Sequence, residues 1–339
     1  MENAALTPYS LKQIRFKNRI AMAPMLPFGW PQKNGVMSDR VIQHYLRHAD
    51  VQIGLLISQA LLVTPEFNED DRAGVYAPEH VENLRYIAET CRRNGTRFMV
   101  QLHYNGFEQT RESIKILNEY PIEKLQALRD CYIRGARLCK QAGCDGVELH
   151  GAHGFFLNLL ASPACNRRPD AYGGGLQGRL RMVREIVKGI QAFAADDFII
   201  SYRMGWNDTL KTDVETAQAL QQMGVEMLHI SHGAPYRRPV IPPRGFDYNA
   251  SIYTGSVIKK EVDVPVMVVN NIRTLRRSGE IIEKGYADFA AFGKPFLADA
   301  RFLEKSLQDA DHESCIRCHF CQWYVDGDLC PVRRTVGEI

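Results

Sequence analysis

Short runs of apolar residues recur along the chain, and most are followed by a loop and then by a longer amphipathic stretch. The runs have the length of buried strands, and the amphipathic stretches place apolar residues near a 3.6-residue period. The predicted strands are Arg19–Ala23, Gly54–Ser58, Arg97–Leu102, Gly146–His150, Phe198–Arg203, Met227–Ser231, Val266–Val269 and Phe289–Phe292. The predicted helices are Pro78–Asn94, Ile122–Ala142, Gly178–Ala194, Thr212–Gln222 and Leu275–Lys284.

Alternating strands and helices predict parallel strands joined by right-handed crossovers. Eight such units favour closure into a (β/α)8 TIM barrel. The alternative, an open doubly wound sheet, would need a glycine-rich fingerprint after its first strand. The turn there reads Ala23-Pro24-Met25-Leu26-Pro27 and contains no glycine. Four of the helices are followed by a glycine, a common helix terminator: Gly95, Gly143, Gly224 and Gly285.

Composition and charge narrow the class of protein. The 339 residues are 45% hydrophobic and 24% charged, which is typical of a globular domain. A formal net charge of +3 argues against a nucleic acid or a membrane surface as partner and leaves a small-molecule substrate. Because no apolar run reaches the length of a signal peptide core or a membrane span, we expect a cytoplasmic enzyme. We predict a barrel over residues 1–305 and a cysteine-containing extension over 306–339.

Barrel enzymes place their chemistry at the carboxyl ends of the strands, so the residues there, most of them polar, are candidates for the site. These residues are Ala60, Gln101, His103, His150, His153, Arg203, Ser231, Asn270, Asn271, Gly293 and Lys294. The loops after strands seven and eight often bind a phosphate in such barrels. Gly293 would let backbone N–H groups approach the anion, and Lys294 would supply a cation. We favour this phosphate site over the alternative, in which Gly293 forms a tight turn and Lys294 is simply solvated.

Arg203 ends an apolar strand, and a buried guanidinium needs an acceptor or an anion. The pyrimidine edge of a reduced flavin would serve, and Gln101 offers a donor and an acceptor to the same edge. For Gln101 the alternative is a satisfied core amide. His150 and His153 could bind a metal or donate two hydrogen bonds to one oxygen. No third metal ligand lies at an obvious spacing, and we favour the oxygen clamp over a metal site and over core histidines because of the neighbouring polar residues at the strand ends.

The stretch from His150 to Gly174 resembles the signature of the Old Yellow Enzyme family, which pairs H-x-x-H-G with S-P-x-x-N-x-R-x-D-x-Y-G-G. The second half is matched by Ser162, Pro163, Asn166, Arg168, Asp170, Tyr172, Gly173 and Gly174. Further matches at residues 18–25, 101–103, 203 and 285–299 extend the resemblance over nearly the whole chain.

The resemblance implies an FMN-binding barrel reduced by NADH or NADPH. The residues implied to contact the flavin are Ala23, Pro24, Met25, Leu26, Ala60, Gln101 and Arg203. Those implied to hold its phosphate end are Asn271, Gly293 and Lys294. His150 and His153 would clamp the oxygen of an activating carbonyl or nitro group, which prepares a conjugated C=C for hydride from the flavin.

The chain also departs from the family in the implied substrate pocket, which contains Phe28, Tyr104 and Phe155. Phe155 replaces a tyrosine that protonates the substrate in ene-reductases, and it has no proton to give. Either water or Tyr104 supplies the proton, or the reaction is not alkene reduction. Relatives that oxidise methylamines also carry phenylalanine at this position, so an amine-oxidising or demethylating enzyme is the alternative.

Four cysteines cluster near the end of the chain: Cys315, Cys318, Cys321 and Cys330. The spacing of the first three can hold an iron–sulfur cluster, with zinc or free thiols as alternatives. The resembled branch that includes 2,4-dienoyl-CoA reductase and trimethylamine dehydrogenase carries a [4Fe-4S] cluster just after the barrel. An electron-transfer subunit that acts with a redox partner protein is therefore an alternative function. A homo-oligomer is a separate possibility.

Overall fold

The computed structural model describes residues 3–30, 32–68, 72–107, 110–233 and 240–338. Within these residues, eight parallel strands close into a barrel in the order β10-β3-β4-β5-β6-β7-β8-β9, which confirms the predicted TIM barrel. The strands are β1 (Tyr9–Leu11), β2 (Ile14–Phe16), β3 (Ile20–Met22), β4 (Leu55–Leu62), β5 (Arg97–His103), β6 (Gly146–Gly151), β7 (Ile199–Met204), β8 (Met227–Ile230), β9 (Val266–Val268) and β10 (Phe289–Phe292).

Most of the helices alternate with the barrel strands along the chain. They are α1 (Asp39–Ala49), α2 (Val81–Arg93), α3 (Arg111–Glu119), α4 (Ile122–Gln141), α5 (Phe156–Ala161), α6 (Leu176–Arg179), α7 (Arg181–Gln191), α8 (Leu210–Gln222), α9 (Ala250–Ile258), α10 (Leu275–Glu283), α11 (Lys294–Ala298), α12 (Phe302–Gln308) and α13 (Pro331–Thr335). None of the helices in the described ranges is both long and apolar enough to cross a membrane.

Every predicted strand is a strand of the barrel, and the predicted helices correspond to α2, α4, α6 with α7, α8 and α10. The four glycines after helices all have φ between 66° and 95°, the left-handed conformation that ends a helix without a Cβ clash. One predicted helix differs: the stretch 178–194 is interrupted at Leu180, with φ −93° and ψ 2°. The interruption lets Leu180 pack in a separate apolar cluster with Ala161 and Ala219.

An antiparallel hairpin of β1 and β2, which the strand–helix pattern does not predict, covers the amino-terminal end of the barrel. Ile14 and Phe16 are buried there against residues at the strand starts, including Ile199 and Phe289. Apolar side chains therefore close this end, and the carboxyl ends of the strands form the open mouth.

The carboxyl-terminal segment folds back onto the mouth rather than away from it. The indole Nε1 of Trp323 donates to the carbonyl of Leu26 at 2.7 Å, and the backbone N–H of Gly327 donates to the carbonyl of Phe28 at 2.9 Å. The ring of Tyr324 meets that of Phe28 edge to face, with 5.7 Å between ring centroids. The division of the chain at residues 305 and 306 stays a prediction.

Candidate active site

A cavity of about 800 Å³ opens at the carboxyl ends of the barrel strands, within the size range of small-molecule and cofactor sites. The predicted residues that line it are Ala23, Pro24, Met25, Leu26, Phe28, Ala60, Gln101, His150, His153, Phe155, Arg203, Asn271, Gly293 and Lys294. These residues lie up to 271 positions apart along the chain but line one cavity. They meet because barrel closure pairs the first strand with the last.

Tyr104 is the exception among the predicted pocket residues. Its ring packs between Phe107 and Phe156, it is 1% exposed, and its hydroxyl lies 3.2 Å from that of Tyr120. We correct its placement: consecutive side chains of a strand alternate between faces, so the inward-facing His103 turns its neighbour outward. Burial also raises the pKa of Tyr104, which holds its proton in place.

Several cavity residues have no role in the sequence-based assignment: Arg72, His232, Asn249, Arg273 and Tyr324. His103 is one of the predicted strand-end candidates and does line the cavity, and the same rule could have found His232 and Arg273, which follow strands. Arg72 and Tyr324 come from a long loop and from the carboxyl-terminal segment, and no local sequence signal indicates that they reach the mouth.

One side of the cavity carries a buried guanidinium beside an amide. Arg203 donates from Nη2 to the Ser231 hydroxyl at 3.2 Å, while its buried Nε has no protein partner. Burial lowers the pKa of Arg203 to about 10, so the side chain remains a cation at neutral pH. Because this cation lines the cavity, this side of the site fits a ligand that presents acceptors or negative charge.

Three histidines and Ser231 form a continuous chain of hydrogen bonds across the same side. The Nδ1 atoms of His103 and His150 lie 3.2 Å apart, and His150 Nε2 lies 3.2 Å from His153 Nδ1. His153 Nε2 then lies 2.8 Å from the Ser231 hydroxyl. Burial lowers the pKa of all three imidazoles, that of His103 to about 3, so the rings are neutral at pH 7.

These hydrogen bonds limit how His150 and His153 could act as an oxygen clamp. Both ring nitrogens of each histidine already have a partner, so a clamp requires the His150–His153 hydrogen bond to open when an oxygen binds. Phe155 lies edge-on to His103, with 4.7 Å between ring centroids, and lines the cavity beside them. The clamp stays a prediction.

The far end of the cavity is built by the loops after β9 and β10. Asn270 and Asn271 have φ values of 84° and 55°, and the side chain of Asn249 donates to the carbonyl of Asn270 at 2.6 Å. A Cβ added to Gly293 would lie 3.3 Å from Met25 Sδ, closer than nearly all real Cβ contacts. Glycine at this position and the Lys294 ammonium beside it fit an anionic group, as the barrel rule predicts.

The carboxyl-terminal cysteines are free thiols of intermediate exposure. Burial, together with Cys321 and Cys330 nearby, raises the pKa of Cys315, so some of the thiols are neighbours. Across the described ranges, however, no three Cys, His, Asp or Glu side chains come close enough to hold a metal ion. This arrangement does not fit a bound cluster, and the ligand set Cys315, Cys318, Cys321 and Cys330 stays a prediction.

A family model described as the NADH:flavin oxidoreductase / NADH oxidase family matches residues 5–130 and 115–313. An NADH oxidase of Thermoanaerobacter brockii is 28% identical over 331 residues, covering 89% of this chain and 51% of its own length. An NADPH dehydrogenase of Bacillus pumilus is 26% identical over 331 residues, covering 91% of this chain and 96% of its own.

Two solved structures share the fold. A 2-naphthoyl-CoA reductase in complex with 2-naphthoyl-CoA superposes with a TM-score of 0.80 at 20% identity, covering all of this chain and 58% of that one. A histamine dehydrogenase from Rhizobium sp. 4-9 superposes with a TM-score of 0.74 at 19% identity, covering 90% of this chain and 48% of that one. The chain therefore spans about half the length of some of these proteins and nearly all of the NADPH dehydrogenase.

The mouth cavity of this closed barrel is polar on one side, apolar on the other and carries Lys294 at one end, and it lies where barrel enzymes bind their ligands. The chain belongs to the NADH:flavin oxidoreductase / NADH oxidase family. The predicted class, an FMN-dependent oxidoreductase acting on a small-molecule substrate, is confirmed by this membership.

Proposed function

We propose that this chain holds FMN in the barrel mouth, accepts electrons from NADH or NADPH, and reduces an electron-poor C=C or a related acceptor. The observation that carries the proposal is that the buried Arg203 cation and Lys294 line one cavity together with the small apolar residues Ala23, Ala60 and Ala291. The relatives named NADH oxidase and NADPH dehydrogenase support a nicotinamide reductant.

Each part of the cavity has a separate task in this proposal. Arg203 and Gln101 bind the polar edge of the flavin ring, and the Asn271, Gly293 and Lys294 end binds the phosphate. The backbone of residues 23–26 and the side chain of Ala60 line the flat apolar part of the ring. When bound, FMN supplies hydride transfer, which the side chains of this chain cannot perform.

The histidines and the phenylalanines face the substrate. His150 and His153 donate hydrogen bonds to the substrate oxygen after their mutual hydrogen bond opens, which withdraws electron density from the C=C bond. Phe28 and Phe155 exclude water and pack on the substrate but cannot donate a proton. With Tyr104 buried behind the wall, His103 is the proton-carrying side chain nearest to Phe155.

Anaerobic titration with FMN followed by visible spectroscopy tests the proposal. We expect a yellow 1:1 complex that NADH or NADPH bleaches and that 2-cyclohexenone or a nitroalkene restores. Arg203→Met serves as the control, since it should weaken FMN binding. A protein that stays colourless in excess FMN contradicts the proposal.

Phe155 favours a second candidate, an amine-oxidising or demethylating enzyme, because that chemistry needs no proton donor at this position. It predicts bleaching by a methylated amine in place of a nicotinamide. Stopped-flow mixing of the FMN complex with NADH, NADPH and trimethylamine separates the two candidates by which reductant acts faster.

The remaining predictions belong to the same proposal: a cytoplasmic protein with a barrel over 1–305 and an extension over 306–339. Gel filtration determines whether it forms a homo-oligomer. An iron and sulfide assay on anaerobically purified protein tests the cysteine segment, since a bound [4Fe-4S] cluster gives about four iron atoms per chain. Only iron-loaded protein would support electron transfer to a redox partner protein.

A further inference from the structure

Glu148 is a fully buried carboxylate in the middle of β6, two residues before His150. Its side chain points into the barrel, because it contacts residues of β5, β7 and β8. Oε1 accepts a hydrogen bond from Gln101 Nε2 at 2.7 Å, and Oε2 lies 2.9 Å from His229 Nδ1 and 3.5 Å from the Ser201 hydroxyl. It does not line the cavity, so it acts on a ligand only through its neighbours.

These contacts determine how Gln101 is oriented. An ionised carboxylate only accepts hydrogen bonds, so the Gln101 group that faces it must be the NH₂ and not the carbonyl. The amide carbonyl oxygen is thereby turned away from Glu148, and Gln101 itself lines the cavity. The same reasoning requires the proton of His229 to be on Nδ1.

Glu148 and Arg203 are the buried charges on this side of the mouth. Burial lowers the pKa of His229, so this ring is neutral at pH 7. Burial alone would raise the pKa of Glu148, but the electrostatic interaction and hydrogen bond with His229, then the charge of Arg203 and the hydrogen bond from Gln101, outweigh it and hold that pKa below its ordinary value. For a flavin bound beside Arg203, the negative charge of Glu148 therefore partly offsets the positive charge of Arg203.

We propose that Glu148 is a positioning residue for the cofactor: it turns the Gln101 carbonyl toward the N–H of the flavin ring edge, and its charge limits how strongly Arg203 stabilises reduced FMN. This inference rests on the proposed function. It separates two effects, one that depends on the hydrogen bond to Gln101 and one that depends on the negative charge.

Two substitutions separate these effects. Glu148→Gln removes the charge and keeps the size, whereas Glu148→Asp keeps the charge but is too short to reach Gln101. Asp213→Asn is the matched control, because Asp213 is another buried carboxylate, accepts from the backbone N–H of Asn207 at 2.8 Å and does not line the cavity.

The measurements are the midpoint potential of bound FMN, the dissociation constant of oxidised FMN, and the ¹⁵N shift of the flavin ring N–H in labelled FMN. We expect Glu148→Gln to favour reduced over oxidised FMN about tenfold more than wild type, a rise of about 30 mV for a two-electron couple. We expect Glu148→Asp to weaken oxidised FMN about fivefold and to move the ring N–H shift, with a smaller change in potential. Asp213→Asn should change the melting temperature but none of these three quantities.

An unchanged potential in Glu148→Gln overturns the inference, and so does wild-type FMN affinity in Glu148→Asp. If Glu148→Gln does not fold, Glu148→Asp alone decides, because it retains the buried charge. A wild-type protein that binds no FMN refutes the proposed function before any variant is compared. A wild-type protein that binds FMN, with variants that match it, refutes only the role of Glu148.

Discussion

The two sides of the barrel mouth differ in chemistry although the same kind of strand builds both. The inward residues near the ends of β5 to β8 are polar: Gln101, His150, Arg203 and Ser231. The residues at corresponding places on and after β9, β10, β3 and β4 are small and apolar: Val269, Ala291, Ala23 and Ala60.

The difference shows which side depends on a ligand. The apolar side is complete without one, because apolar groups have no hydrogen bonds to satisfy. The polar side carries the Arg203 guanidinium, a buried cation that lines the cavity and gains a charge-assisted hydrogen bond when a ligand presents an acceptor. A ring system that is polar at one edge and apolar at the other, as in a flavin, therefore has one favoured orientation in this cavity.

Removing the cation from the polar side should have the largest effect on FMN binding. Arg203→Met should weaken FMN binding by about 3 kcal/mol, on the order of 10²-fold, because the acceptor edge loses its donor and Glu148 is left without its counter-charge. Fluorescence titration of FMN measures this. Val269→Ala on the apolar side is the control, and equal losses in both variants would contradict the asymmetry.

The histidine chain on the polar side should matter for substrate and much less for the nicotinamide. His150→Asn retains hydrogen-bonding groups but cannot polarise the substrate oxygen as two imidazoles do. We expect reoxidation of reduced enzyme by 2-cyclohexenone to slow about 10²-fold, with bleaching by NAD(P)H changed much less. Stopped-flow absorbance reports both half-reactions, and an equal slowing of both would place His150 in cofactor binding instead.

Asp213 lies outside the mouth and contrasts with Glu148 in its titration. Burial raises the pKa of Asp213 to about 7, above the value in the unfolded chain. The unfolded state ionises first as the pH rises, so the contribution of Asp213 to stability should fall between about pH 4 and pH 7 and level off above that. Asp213→Asn should remove about 3 kcal/mol of this pH dependence, measured by urea unfolding at pH 4.5 and 7.5. Parallel stability curves for the two proteins would contradict it.

The smallest effect concerns the carboxyl-terminal segment, which supports the apolar side of the mouth. Trp323→Phe removes the hydrogen bond to the Leu26 carbonyl and should lower the free energy of unfolding by about 1 kcal/mol. FMN affinity should fall a few-fold, since Leu26 lines the cavity. Tyr324→Phe keeps the ring on Phe28 and serves as the control, so a larger loss in Tyr324→Phe would show that the hydroxyl is the important group.

The amino-acid sequence by itself determined the elements and much of the site. Apolar runs and the glycines after helices are local signals, because a strand or a helix end depends on the backbone preferences of a few consecutive residues. The strand-end rule then located Gln101, His150, Arg203, Gly293 and Lys294 at the mouth, since parallel strands in a barrel all end at the same side.

The tertiary structure decided which of these side chains meet. The contact between Glu148 and His229 joins strands that are not neighbours, and Trp323 reaches Leu26 across 297 positions. The turning of Tyr104 away from the cavity follows from the face of β5 that points inward. Such contacts depend on barrel closure and strand register, which arise from packing over the whole chain, so no local pattern of residues encodes them.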